Sequence, residues 1–251
     1  MKAALLALLL AAAPSDGNAL FALYAQGHYD EAMRQGAAAG TAAGFAIAAR
    51  AAMADAMTRP EPCLECLKRG EAFARRAIAA DPNAPDGHVW LAAALGYEAR
   101  IVGLIRAKLN DDPGQAKENL DAALKADPDN AYALAALGGW NVEIVRSGGK
   151  FLARRLYDAS LEQGLNLFDR AVRMAPGNVA VRYQIALSLS GFDAEVYRSP
   201  IESELQAAIH ATPETAYEKY VQARAGELLT LLRRGDRDAF DARVRAFQGY
   251  P

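Results

Sequence analysis

The chain has 251 residues, 52% of them apolar, with two cysteines and a formal charge of −2. A near-neutral balance supplies no global attraction to nucleic acid or to an anionic membrane, and sparse Val, Ile and Thr argue against a sheet-rich protein. Much of the apolar fraction is alanine, a small side chain and the best helix former, so the composition points to many thin, closely packed helices.

The N-terminus reads MKAALLALLLAAAPSDGNA. One basic residue, Lys2, precedes an uncharged run from Ala3 to Ala13, and Pro14-Ser15-Asp16-Gly17 breaks it. This is the layout of a secretory signal peptide, and the run is too short to span a bilayer comfortably. The expectation is a leader over 1–19, cut somewhere within 13–19, then a single domain over 20–251. The mature protein is expected to be periplasmic or secreted. No later segment is apolar for long enough to be transmembrane.

A short helical unit begins at Gly27-His28-Tyr29-Asp30-Glu31-Ala32. Farther on, Arg59-Pro60-Glu61-Pro62 leads into Cys63-Leu64-Glu65-Cys66. In an exported chain a disulfide between Cys63 and Cys66 is the expected state. The pair opens a helix, whose positive end would stabilise a thiolate, so a thiol-disulfide protein is the redox alternative. No strand-rich thioredoxin pattern surrounds it, and Leu67 stands where haem attachment needs a histidine. His28, His88 and His210 have no metal-type spacing, and neither a metal nor another cofactor is expected.

Four junctions follow, at Asp81-Pro82-Asn83, Asp127-Pro128-Asp129, Ala175-Pro176-Gly177 and Thr212-Pro213-Glu214. The segments before them read EAFARRAIAADP, ENLDAALKADP, LNLFDRAVRMAP and ESELQAAIHATP, and they align on their prolines. Proline disfavours helical geometry in the residue before it and is welcome in a first helical turn. One proline is therefore expected to close one helix and help open the next.

A recurring helix pair with a closing proline is the signature of a helical solenoid. Leu91, Leu95, Ala116, Leu120, Ala123 and Pro128 fit one unit. Leu134, Leu137, Gly138, Gly164, Phe168, Ala171 and Pro176 fit the next, and Ile185, Ala186, Leu205, Ala208 and Pro213 a third. The pattern resembles the tetratricopeptide repeat family over most of the chain after the leader. The expected fold is thus all-α: a tetratricopeptide-like solenoid of helical hairpins.

The spacing between prolines exceeds the usual repeat, and the excess falls inside two hairpins, at 96–115 and 139–164. Ile101, Val102 and Ile105 prolong the apolar stripe of one first helix, Ile144 and Val145 that of the other. These lengthened hairpins are expected to project as a pair of fingers. Gly138-Gly139-Trp140 followed by the basic segment Lys150-Phe151-Leu152-Ala153-Arg154-Arg155 is similar to repeat proteins of the regulator of microtubule dynamics family. Periplasmic tetratricopeptide components of tripartite carboxylate transporters have a related look. Arg146, Lys150, Arg154 and Arg155 are expected to form a solvated face paired with Glu143, Asp158 and Glu162; holding a phosphate, a carboxylate or a lipid headgroup is the alternative. Residues 214–234 and a short helix over 238–248 should cap the stack, since a last repeat would otherwise expose an apolar face.

First helices of a solenoid line its concave surface. Counted in register from each junction, the groove candidates are Val89, Trp90 and Tyr97, then Tyr132, Ala136, Val142 and Glu143, then Tyr183, Gln184 and Phe192. Aromatic side chains among small ones make a roomy groove with flat contact surfaces. No assembled catalytic set is present, so the expected function is a non-catalytic scaffold binding another polypeptide. The alternative is a solute-binding accessory of a transporter, taking a small apolar or anionic ligand. Enclosure separates the two, because an open groove suits a peptide and a closed pocket suits a solute.

Overall fold

The computed structural model describes residues 17–251, and the expected leader up to residue 16 lies outside the described residues. Among the described residues the chain forms thirteen helices and no strand. They are α1 (Gly17–Ala25), α2 (Tyr29–Ala39), α3 (Ala42–Thr58), α4 (Leu64–Ala80), α5 (Pro85–Val102), α6 (Leu104–Leu109) and α7 (Asp112–Ala126). Then come α8 (Ala131–Tyr157), α9 (Leu161–Met174), α10 (Val179–Asp193), α11 (Arg198–His210), α12 (Ala216–Arg234) and α13 (Arg237–Phe247).

The helices pair as hairpins, α3 with α4, α5 with α7, α8 with α9 and α10 with α11, and successive pairs stack. The first helices α3, α5, α8, α10 and α12 pack in order along the inner side. This is the helical-hairpin solenoid expected from the junctions, with α13 against α10 and α12 at its end.

Alanine and glycine make the stack tight. On α3, Ala48, Ala49, Ala51 and Ala52 are almost fully buried. Gly36 of α2 and Gly44 of α3 let two backbones meet: a Cβ on Gly36 would lie 2.5 Å from the Gly44 carbonyl oxygen. The Gly138 and Phe168 positions repeat this between α8 and α9, where a Cβ on Gly138 would lie 2.6 Å from the ring. Larger apolar side chains fill the second half, where Leu134, Val181, Leu187, Ile201, Leu205 and Leu228 share one core.

The junction prolines do half of what was expected. α4, α7 and α9 end two residues before Pro82, Pro128 and Pro176, and α11 three before Pro213, but none of these prolines opens the next helix. Side-chain caps do that instead. Asn130 Oδ1 accepts from Ala133 N at 3.0 Å, Asn178 Oδ1 accepts from Val181 N at 2.9 Å, and Thr215 forms a capping box with Glu218. α5 starts with Pro85 in its first turn, where no intrahelical N–H is missed. His88 pins this junction, its ring bonding the Pro82 carbonyl at 2.9 Å and Asn119 Oδ1 of α7 at 2.8 Å.

The two lengthened hairpins, expected to project as fingers, each turn partway along their first helix. The first breaks at Gly103 (φ 84°) and continues as α6; the second bends inside α8 at Gly149 (φ 73°). Both glycines adopt backbone conformations that L side chains rarely take. Each short limb is anchored by one buried alanine, Ala107 or Ala153, and ends near an aspartate in the left-handed region, Asp111 or Asp158.

The stack turns far enough for its end to meet its beginning. α12 packs against α1 and α3. Tyr220 Oη donates to the Thr58 carbonyl at 3.3 Å, and a Cβ on Gly27 would sit 3.0 Å from Ala216 Cβ. Arg100 Nη1 donates to the Gln248 carbonyl at 2.9 Å, tying α5 to the C-terminal segment. No helix among the described residues is long and apolar enough to cross a membrane.

Candidate functional site: a central aromatic cavity

Because the inner helices come round on themselves, their inward side chains line one central cavity of about 840 Å³. On the first half of α8 the lining positions Tyr132, Ala135, Ala136, Gly139, Trp140 and Glu143 make the stripe that one face of a 3.6-residue helix produces. On α5 they include Val89, Trp90, Ala93, Tyr97 and Arg100. α3 supplies Arg50, Met53 and Met57; α10 supplies Val181, Tyr183 and Gln184; α12 supplies Tyr217 and Glu218.

Eight of the ten groove residues expected from the sequence therefore line this cavity: Val89, Trp90, Tyr97, Tyr132, Ala136, Glu143, Tyr183 and Gln184. Val142 and Phe192 do not. Val142 lies one residue before the lining Glu143, about 100° round the helix, and is buried against α9 in the core that contains Phe168. Phe192 lies at the far end of α10 and stacks edge-on against Tyr197 at 5.9 Å. Val89 and Tyr183 belong to the wall and to the buried core alike.

The residue that organises one side was not among the expected ones. The Arg50 guanidinium lies over four rings: Tyr24 at 4.5 Å, Tyr132 at 5.1 Å, Trp90 at 5.4 Å and Phe21 at 5.5 Å. Its Nη2 donates to Tyr132 Oη at 3.0 Å, while its Nε is buried without a partner among the described residues. The Tyr183 hydroxyl is buried beside Arg224, and burial pushes its pKa up. A buried donor left unsatisfied costs about 1–3 kcal/mol. The sequence did carry a signal for Arg50, the single charge within the run from Ala42 to Ala54.

The mouth carries more positive charge. Arg146 bonds Glu143 and also Tyr250, whose hydroxyl lies 2.5 Å from Arg146 Nη2 and 3.3 Å from Glu143 Oε1. The Tyr250 ring lies near the guanidinium groups of Arg100, Arg146 and Arg245. Five lining residues are cationic, Arg50, Arg100, Lys108, Arg146 and Arg245, against three acids, Asp112, Glu143 and Glu218. Glu143 is held by Arg146 and Glu218 by its capping box, while burial raises the pKa of Asp112. Cations therefore outnumber acids along the lining.

Cys63 and Cys66 lie apart from this cavity. They form a disulfide with Cα atoms 5.2 Å apart at the start of α4, where Cys63 Sγ also accepts from Cys66 N at 3.2 Å. Among the described residues no group of His, Cys, Asp and Glu side chains is arranged to hold a metal ion.

The family model described as regulator of microtubule dynamics protein 1-3 matches residues 29–233, from the start of α2 almost to the end of α12. No curated protein matches the chain.

Proposed function

Starting from a chain that belongs to the regulator of microtubule dynamics protein 1-3 family, we propose that it is a non-catalytic binding module that encloses one amphipathic anion, a carboxylate or phosphate ester on an apolar body. The observation that carries this reading is the pairing of an apolar, aromatic cavity with the Arg50 guanidinium set among the rings of its wall. A volume of about 840 Å³ lies in the range that takes one drug-sized ligand. The rings of Trp90, Tyr132 and Trp140 supply contact area at low entropy cost, and Arg50 supplies orientation. The kinship with tetratricopeptide repeats and export to an envelope compartment remain part of this proposal, resting on the proline-closed hairpins and the N-terminal sequence.

Both tryptophans of the chain, Trp90 and Trp140, line the cavity, so intrinsic fluorescence reports its occupancy directly. Titration with dodecanoate should change that emission saturably, and dodecanol should bind more weakly. No saturable change with any chain-bearing carboxylate or phosphate would overturn the reading.

A second reading, capture of another polypeptide, is favoured by a segment of the chain itself. Tyr250 and Pro251 lie on the cavity wall, with the Tyr250 hydroxyl bonded to Arg146 and Glu143. A partner ending in an aromatic residue and a carboxylate would fit the same cationic mouth. A peptide Tyr-Pro carboxylate competing with dodecanoate would support it; failure to compete would leave the small-molecule reading alone.

A further inference from the structure

The limbs created by the two glycine breaks share a sequence pattern as well as a shape. From Gly103 the chain reads GLIRAKLND, and from Gly149 it reads GKFLARRLYD. In each, the glycine has positive φ, the buried alanine comes four residues later, and an aspartate in the left-handed region ends the limb. Between glycine and aspartate each limb holds leucines or phenylalanine together with Lys and Arg, and no acidic residue.

Three of these side chains, Ile105, Leu109 and Phe151, are the most exposed large apolar ones among the described residues. Ile105 and Leu109 are each 82% exposed, Phe151 is 75% exposed and Leu104 64%. Leu104 on one limb and Leu152 and Leu156 on the other are exposed and line the cavity mouth as well. The apolar surface is therefore continuous from the outside of both limbs into the interior. Of the carboxylates expected to neutralise the second limb, only Glu143 pairs, and it pairs with Arg146. Lys150, Arg154 and Arg155 are exposed and form no ion pair among the described residues. Arg106 and Lys108 on the first limb are exposed too.

We propose that α6 and the limb from Lys150 to Tyr157 are a paired docking surface for an anionic lipid bilayer, with Ile105, Leu109 and Phe151 set among the headgroups and acyl chains and the five cations around them. The composition selects this occupant. A protein interface core is depleted in lysine, whereas short amphipathic surfaces that lie in a bilayer combine Leu and Phe with Lys and Arg. Each cation near an anionic leaflet adds attraction that decays within a Debye length. The chain's formal charge of −2 hides this local excess. Docking here also sets the cavity mouth against the lipid, but the surface stands on the two limbs alone and does not depend on the cavity having a ligand.

Vesicle flotation of the full chain tests it. Vesicles containing phosphatidylglycerol should carry the protein up the gradient, and vesicles of phosphatidylcholine alone should carry much less. The triple variant Ile105→Ser, Leu109→Ser, Phe151→Ser should cut the bound fraction at least about tenfold. So should Lys150→Gln, Arg154→Gln, Arg155→Gln. All variants share the N-terminus, so binding through that segment would be common to them. Raising the salt to about 1 M, where the Debye length is about 3 Å, should release the wild type. Equal binding to both vesicle types, or bound fractions unchanged in both triple variants, would overturn the proposal. So would retained vesicle binding by the Ile105/Leu109/Phe151 variant with loss of self-association, which would make the limbs a protein interface. Arg50→Gln should lose dodecanoate and keep vesicle binding, so this proposal and the cavity reading fail separately.

Discussion

Arg50 and Tyr132 lie 82 residues apart and meet inside the molecule, with Arg50 Nη2 donating to Tyr132 Oη at 3.0 Å. The same oxygen accepts from Asn178 Nδ2 at 3.0 Å, and Asn178 is the cap of α10. One phenol thus joins α3, α8 and the start of α10, and it holds the Arg50 guanidinium in place on the cavity wall. Removing that oxygen while keeping the ring isolates its role. Tyr132→Phe should destabilise by about 1–3 kcal/mol, because two donors lose an acceptor. At about 2–4 °C per kcal/mol for a chain of this size, thermal melting resolves it.

Arg50→Gln removes the charge and the planar group at once. If Arg50 orients the ligand head, dodecanoate affinity measured by tryptophan emission should fall by about 10- to 100-fold, as expected for a charge-assisted hydrogen bond. Arg50→Lys should recover little, since a compact ammonium neither stacks on the rings nor presents the same fork.

Glu98 on α5 is buried with one carboxylate oxygen unpartnered, close to Glu71, Asp112 and Lys68. Burial, then the charge of Glu71, raises its pKa from 4.5 to about 7. A raised carboxylate pKa favours the folded state below the unfolded value, and that contribution is lost as pH rises through the folded value. The melting temperature should therefore fall between about pH 5 and 8. Glu98→Gln, which mimics the protonated form, should flatten that fall and melt higher than the wild type at the alkaline end. A melting temperature that rises across this window, or a slope unchanged in the variant, would refute the assignment.

Gly44→Ala places a Cβ about where the Gly36 carbonyl oxygen approaches, 2.6 Å away. Backbone cannot swing aside as a side-chain end can, so the variant should lose about 1–3 kcal/mol through overpacking. Gly96→Ala is the control, since an added Cβ there meets nothing within 4 Å; it should melt at or above the wild type.

Cys63→Ser with Cys66→Ser opens a very short loop, worth about 2 kcal/mol by loop entropy. A fall of that order in melting, with dodecanoate binding intact, is the outcome for a structural staple. Disulfide exchange with a substrate thiol, measured on the purified protein and lost in the variant, would instead favour the thiol-disulfide alternative.

Legibility in the sequence followed the range of the physics involved. The helix ends at Pro82, Pro128 and Pro176 were readable because proline acts on its immediate neighbour. The groove side of α5, α8 and α10 was largely readable because helical periodicity puts Tyr132, Ala136 and Glu143 on one face. Val142 was misplaced by a single residue, which on a helix is enough to exchange wall for core. The two limbs were half readable: their excess length was plain, and the parallel Gly-to-Asp segments were there to compare, but the turns made by positive φ at Gly103 and Gly149 were not foreseen.

What the sequence determined by itself was local and repetitive: an alanine-rich, all-helical chain, hairpins ended at prolines, and an aromatic inner stripe. These depend on neighbours three or four residues away, so they can be read along the chain. Only the tertiary structure decided that the stack turns until α12 meets α1 and α3, making a cavity out of a groove. It alone brought Arg50 under rings from α1, α5 and α8 and set both limbs at one mouth. Closure is a sum of small rotations between successive hairpins, each set by which side chains interdigitate, and no single stretch of sequence contains that sum.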